Sequence, residues 1–138
     1  MTTVKLEDAR RVIGAAEKKA REIGQPMKVA VADKGGNIVA HARMVDAWIG
    51  SIDIYMKKAH TSSAFEIETK ELVKHCQAGG EFFGVHASNN GKIMILAGGI
   101  PLKLDGKVVG IGRGFSKPGD AENRLGDFIG QRGARSYE

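Results

Sequence analysis

Met27-Lys28-Val29-Ala30-Val31-Ala32-Asp33-Lys34-Gly35-Gly36-Asn37-Ile38-Val39-Ala40-His41-Ala42 is the stretch on which the fold class turns. Met27 to Ala32 is short and nearly continuously apolar, the pattern of a buried strand. Asp33-Lys34-Gly35-Gly36 follows with glycines able to take positive φ in a tight turn. Asn37 to Met44 then returns through Ile38-Val39-Ala40-His41-Ala42. A tight turn between two strands enforces antiparallel pairing, so the segment is a β-hairpin and not half of a parallel βαβ unit.

On the N-terminal side, Leu6, Ala9, Val12, Ile13, Ala16, Ala20 and Ile23 fall at spacings of three and four, which gives a helix one apolar stripe. Glu7 and Asp8 lie where carboxylates oppose the helix dipole, and Gly24 followed by Pro26 ends the helix. On the C-terminal side, Ser51 is placed to cap a second helix through Ile52, Ile54, Tyr55, Ala59, Ala64 and Phe65. Thr69-Lys70-Glu71-Leu72 opens a shorter third helix, closed by Gly79-Gly80. Residues 81–91 read as a loop anchored by Phe82, Phe83 and Val85.

Ile93-Met94-Ile95-Leu96-Ala97 carries the strongest strand pattern of the chain, and a second hairpin follows, with arms Pro101–Leu104 and Lys107–Ile111 around an Asp105-Gly106 turn. A last helix is expected through Ala121, Leu125, Phe128 and Ile129, although Gly126 and Gly130 weaken it by about 1 kcal/mol each. The expected order is α-β-β-α-α-β-β-β-α. It describes an α/β sandwich of the α+β type, with a five-stranded antiparallel sheet flanked by helices.

The chain has 138 residues, 42% hydrophobic and 27% charged, enough for one domain spanning 1–138 with a core of its own. No apolar run approaches the roughly 18 residues of a membrane-crossing helix, and Met1-Thr2-Thr3-Val4-Lys5 lacks the apolar core of a signal peptide. A cytoplasmic location without membrane contact is expected. Cys76 is the only cysteine, so no internal disulfide forms, and a buried, inert thiol is the simplest reading. The net charge of +5 invites a nucleic-acid partner, but acids interrupt the lysines and arginines throughout, as at Glu17-Lys18-Lys19 and Glu68-Thr69-Lys70-Glu71. That is the pattern of solvated helix faces, and no nucleic-acid binding is expected. Gly110-x-Gly112-x-Gly114 lacks the second half of a dinucleotide fingerprint and does not open a βαβ unit, which argues against nucleotide binding.

Several strings, in order along the chain, are similar to those of the GlcG/HbpS family, the haem-binding-like proteins that also form the C-terminal domain of PduO. They are Leu6-Glu7-Asp8-Ala9-Arg10, Val29-Ala30-Val31-Ala32-Asp33-Lys34-Gly35-Gly36-Asn37, and Gly50-Ser51-Ile52-Asp53-Ile54. Lys58-Ala59-His60-Thr61-Ser62 resembles the family's Lys-Ala-x-Thr-Ala, Thr69-Lys70-Glu71-Leu72 its Thr-x-Glu-Leu, and Gly98-Gly99-Ile100-Pro101 its Gly-Gly-x-Pro hairpin. The likeness covers about residues 6–112 and departs at Arg113-Gly114-Phe115-Ser116-Lys117-Pro118. It implies an antiparallel sheet flanked by helices, assembly into dimers or larger homo-oligomers, and in some members a haem at a subunit surface.

The resemblance also suggests that the iron-coordinating position lies at residues 60–61. His60 is a strong donor for haem iron, and Thr61 a weak one that would hold haem loosely. Against both stands the simpler reading in which Thr61 bonds back within its helix and His60 faces water. Lys58, Phe65, Phe82, Gly98 and Gly99 complete the candidate binding set, with Met56, Phe83, Lys57 and Arg113 as further wall or cation residues. The two glycines equally well serve a turn. His41, His75 and His86 form no metal signature with His60. A ligand-binding protein for haem or a related tetrapyrrole is the leading expectation. The alternative is a small catabolic enzyme or accessory acting on a hydroxy acid or aldehyde, with Asp33, Asp53 or His60 as base.

Overall fold

The first hairpin of the sequence supplies one inner and one outer strand of the sheet. In the computed structural model, which describes residues 4–104 and 107–114, strand β1 (Lys28–Ala32) pairs antiparallel with β2 (Ile38–Arg43). On its other side β1 pairs antiparallel with β4 (Lys107–Gly114), which also pairs with β3 (Gly99–Leu104). The sheet order is β2-β1-β4-β3, with four strands among the described residues. The strands of both expected hairpins pair as expected, and Pro101 sits on an outer strand of the described sheet, where proline is tolerated.

Among the described residues the fifth expected strand is not formed. Residues 93–97 carry no strand pairing. Ile93 is instead buried in a small cluster with Leu72 and Cys76, with Val85 and Ile95 packed against it. The Met94 N–H donates to Thr61 Oγ1 at 2.9 Å, so a side chain takes the place of a neighbouring strand. An apolar run records that a segment is buried; whether it is a strand depends on a free sheet edge being within reach.

Helix α1 (Leu6–Glu22) covers one face of the sheet, as its stripe of Ala9, Val12, Ile13, Ala16 and Ala20 requires. These side chains meet Val29 and Val31 of β1 and Ile100 and Leu102 of β3. Helix α2 (Ile52–Phe65) covers the opposite face, where Ala30 and Ala32 meet Tyr55 and Ala59. Strand β1 is therefore buried on both sides, which explains its unbroken apolar run. Ser51 does not cap α2: its hydroxyl donates to the Trp48 carbonyl at 3.2 Å. Helix α3 (Thr69–His75) starts where expected. The expected last helix and the Asp105-Gly106 turn lie outside the described residues.

The α2 face is built from small residues in register. Across the sheet Ala30 stands opposite Gly112, which stands opposite Gly99; Ala32 stands opposite Gly110, itself opposite Pro101. A Cβ on Gly112 would lie 1.9 Å from the Tyr55 carbonyl oxygen, and one on Gly110 2.0 Å from that of Ala59. The helix backbone thus rests directly on the backbone of β4, which is what the glycine repeat provides.

Candidate functional site

Close seating brings the polar side of α2 into contact with everything around it. Ser63 Oγ donates to the Asp33 carbonyl at 2.7 Å, and His60 Nδ1 lies 2.9 Å from the Gly36 carbonyl, so two bonds tie α2 to the β1–β2 turn. Between helix and turn lies an open cleft of about 420 Å³, bordered by Gly36, Asn37, Ile38, Asp53, Met56, Lys57, His60 and Lys92. That volume falls within the range of small-molecule sites, about 300–1,000 Å³.

The charged groups of the cleft are unequal. Lys57 Nζ pairs with Asp53 at 2.8 Å, one turn back on the same helix. Lys92, from the segment after the loop, makes no such ion pair among the described residues. Asp33 is committed to the turn, where its Oδ1 accepts the Asn37 N–H at 3.0 Å. Among the described residues His60 is the imidazole of the cleft, which Lys57, Lys92, Met56 and Ile38 also line.

The structure separates the other expected site residues from it. Thr61 is fully buried; its hydroxyl donates to the Lys57 carbonyl at 2.7 Å and accepts from the Met94 N–H, so it is engaged inside the fold. Lys58 is fully buried as well. Gly99 gives its N–H to Thr69 Oγ1 at 2.7 Å and lies under α2, where a Cβ would stand 2.6 Å from the Lys58 carbonyl oxygen. Gly98 precedes it at φ +119°, a conformation suited to glycine. None of the four borders the cleft.

Phe65, Phe82 and Phe83 are exposed at 42%, 47% and 62%, so the phenylalanines do not anchor their segments. Val85, packed on Leu72, Cys76 and Ile93, holds the 81–91 loop instead. Phe82 and Phe83 stack edge-on against His75 and His86, away from the cleft residues.

His41 is exposed and its Nδ1 lies 2.7 Å from the hydroxyl of the buried Tyr55. Burial pushes the Tyr55 phenol above its ordinary range, with Arg43 opposing in part. Burial likewise raises the Cys76 thiol, consistent with an inert cysteine. Among the described residues no group of three metal-ligating side chains is assembled, and no helix is long and apolar enough to cross a membrane.

Three residues of this face were not singled out from sequence. Lys28, on the otherwise apolar β1, is fully buried and its Nζ donates to the Trp48 carbonyl, fastening the loop that leads into α2. A lysine inside an unbroken apolar strand was the available signal. Lys92 and the Gly36 carbonyl reach the cleft only through tertiary contact, and nothing local announces them.

The model of the family described as haem degrading protein HbpS-like matches residues 4–112. The chain belongs to the HbpS-like family. A 15.0 kDa protein from the dhaT-dhaS intergenic region of Citrobacter freundii is 37% identical over 110 residues, covering 80% of this chain and 78% of that protein. Among solved structures, Klebsiella pneumoniae ORFY superposes with a TM-score of 0.86 at 28% identity, over 99% of this chain and 92% of that one. A complex of PduOC with heme superposes with a TM-score of 0.82 at 26% identity, over 98% and 95% of the two chains. The mixed α/β fold of this HbpS-like chain is thus shared along nearly its whole length.

Proposed function

We propose that this HbpS-like chain binds haem or a related tetrapyrrole reversibly, with His60 as the iron-facing residue of the cleft between α2 and the β1–β2 turn. The observation that carries the reading is the position of the His60 imidazole, bordering an open cleft with Lys57 and Lys92 beside it and Met56 and Ile38 as apolar wall. Those residues fit the group: an imidazole suits iron, ammonium groups suit propionates, and apolar side chains suit the ring. The heme complex of PduOC supports the same ligand class. Bound haem supplies a redox-active iron. The chain's own part would be to present the imidazole and to hold the carboxylates. Thr61, buried and bonded to the Lys57 carbonyl and the Met94 N–H, is set aside as the ligand in this reading.

Self-association belongs to the same proposal. Val45, Trp48 and Ile49 stand out from the loop fastened by Lys28, exposed at 82%, 53% and 71%, and such apolar side chains favour a second copy as partner. Haemin titration tests the reading: the Soret band is expected to shift and saturate, with His60→Ala weakening binding at least tenfold. A linear rise without saturation contradicts it. Turnover of a hydroxy acid or aldehyde that is lost in His60→Gln, without haem binding, would favour the enzymatic alternative. Size-exclusion chromatography with and without haemin reads the assembly.

A further inference from the structure

We infer that Gly36 is a positioning residue: its carbonyl fixes the neutral His60 imidazole as the Nδ1–H tautomer, so that Nε2 meets a ligand as a lone-pair donor and not as a hydrogen-bond donor. His60 Nδ1 lies 2.9 Å from the Gly36 carbonyl oxygen. A carbonyl oxygen only accepts, so Nδ1 must carry the proton. A neutral imidazole has one N–H, and Nε2 is left bare on a ring that borders the cleft.

The carbonyl that selects this tautomer is held still. Gly36 N–H donates to the Asp33 carbonyl at 2.9 Å, and Asp33 N–H to the Asn37 carbonyl at 2.8 Å. The Asp33 carboxylate closes the turn on the Asn37 N–H, and the Asp33 carbonyl accepts from Ser63 Oγ of α2 at 2.7 Å. Turn and helix are thus joined at Asp33 as well as at His60, and the Gly36 peptide cannot rotate away without breaking the set.

Glycine is required at 36 for two separate reasons. Its φ of +79° is one that side-chain-bearing residues rarely adopt, and a Cβ there would stand 2.5 Å from His60 Nδ1 and 2.9 Å from Cε1. Any other residue would push the ring off the carbonyl. An imidazole whose Nδ1–H is bonded to a backbone carbonyl is a better oriented donor at Nε2. The ligand class that follows is one offering an empty coordination position, such as the iron of a tetrapyrrole. A ligand that needs a hydrogen bond from this nitrogen is disfavoured. The inference rests on the haem reading for the identity of the ligand, but not for the tautomer.

Long-range ¹⁵N–¹H correlation spectra of the ligand-free protein, taken where His60 is neutral, decide the tautomer directly. The expected result is a protonated Nδ1 and a bare Nε2; an Nε2–H signal overturns the inference. Gly36→Ala should abolish that preference and weaken haemin binding by about 10–100-fold, the usual effect of losing an orienting partner. Gly24→Ala is the control, since Gly24 has φ +68° with nothing within 4 Å of a Cβ, so it carries the backbone strain without touching His60. It should bind haemin as the wild type does. Gly36→Ala binding equally well, with Nδ1 still protonated, also overturns the inference. If Gly36→Ala fails to fold, the wild-type spectrum decides alone. His60→Ala binding haemin normally would defeat the haem reading while leaving the tautomer result untouched.

Discussion

The two faces of strand β1 are packed on opposite principles. Toward α1, Val29 and Val31 meet Val12, Ile13 and Ala16 through side chains, a layer held by burial of apolar surface. Toward α2, Ala30 and Ala32 continue into Gly110, Gly112 and Gly99, and the helix sits on the backbone itself. The α2 surface in this layer also carries Ser63, buried against Gly110 and hydrogen-bonded to the Asp33 carbonyl. A side-chain layer gives stability and tolerates small adjustments. A backbone-on-backbone layer gives position, and the cleft is built on the second.

If that contrast is correct, adding one methyl group on the α2 side should cost more than removing two on the α1 side. Gly112→Ala places a Cβ 1.9 Å from the Tyr55 carbonyl oxygen, where only movement of the whole helix gives relief. It is expected to destabilise by about 3 kcal/mol or more in urea unfolding, and to lower haemin affinity by displacing His60. Val31→Ala removes two methyl groups from a fully buried site. A loss of about 2 kcal/mol is expected, with haemin binding unchanged. Equal costs for the two variants would break the comparison.

Thr61→Val sharpens it further. The substitution keeps the shape but leaves the buried Met94 N–H without its acceptor, a cost of about 1.5 kcal/mol. The account predicts that haemin affinity is retained; a tenfold loss would return Thr61 to candidacy as a ligand.

The smallest effect concerns pH. Burial raises both the Cys76 thiol and the Tyr55 phenol in the folded state, so the unfolded chain loses these protons first as pH rises. Stability contributed by the neutral forms is complete below the ordinary thiol range and declines above it. Unfolding midpoints should therefore fall from neutral to strongly alkaline pH, and native Cys76 should react with a thiol reagent far more slowly than the unfolded chain. Rapid reaction of the folded protein would contradict the burial.

The α1 side was legible because its information is local. The three-and-four spacing from Leu6 to Ile23 and the apolar run of β1 each state in sequence what they do in structure. Both hairpins were legible through their turns. The α2 side was not, because its meaning lies in pairs far apart in the chain. Gly110 and Gly112 look like a broken phosphate motif until Tyr55 and Ala59 are seen resting on them. Ile93 to Ala97 has the composition of a strand, yet Thr61 and α3 claim it first. His60 could be nominated from its residue type and from the family likeness; that Gly36 would hold its ring could not. Phe65 and Phe82 stand exposed, because aromatic character alone does not say which side of a segment is covered.

The account stands most directly on the atom that meets the iron. Electron spin-echo envelope modulation of the ferric haemin complex detects an imidazole nitrogen bound to the metal. Haemin-loaded wild type and Thr61→Val should both give the imidazole modulation, and His60→Ala should not. The same modulation persisting in His60→Ala, or lost only in Thr61→Val, would contradict the central claim that α2 is seated on its glycine bed to hold His60 at the cleft.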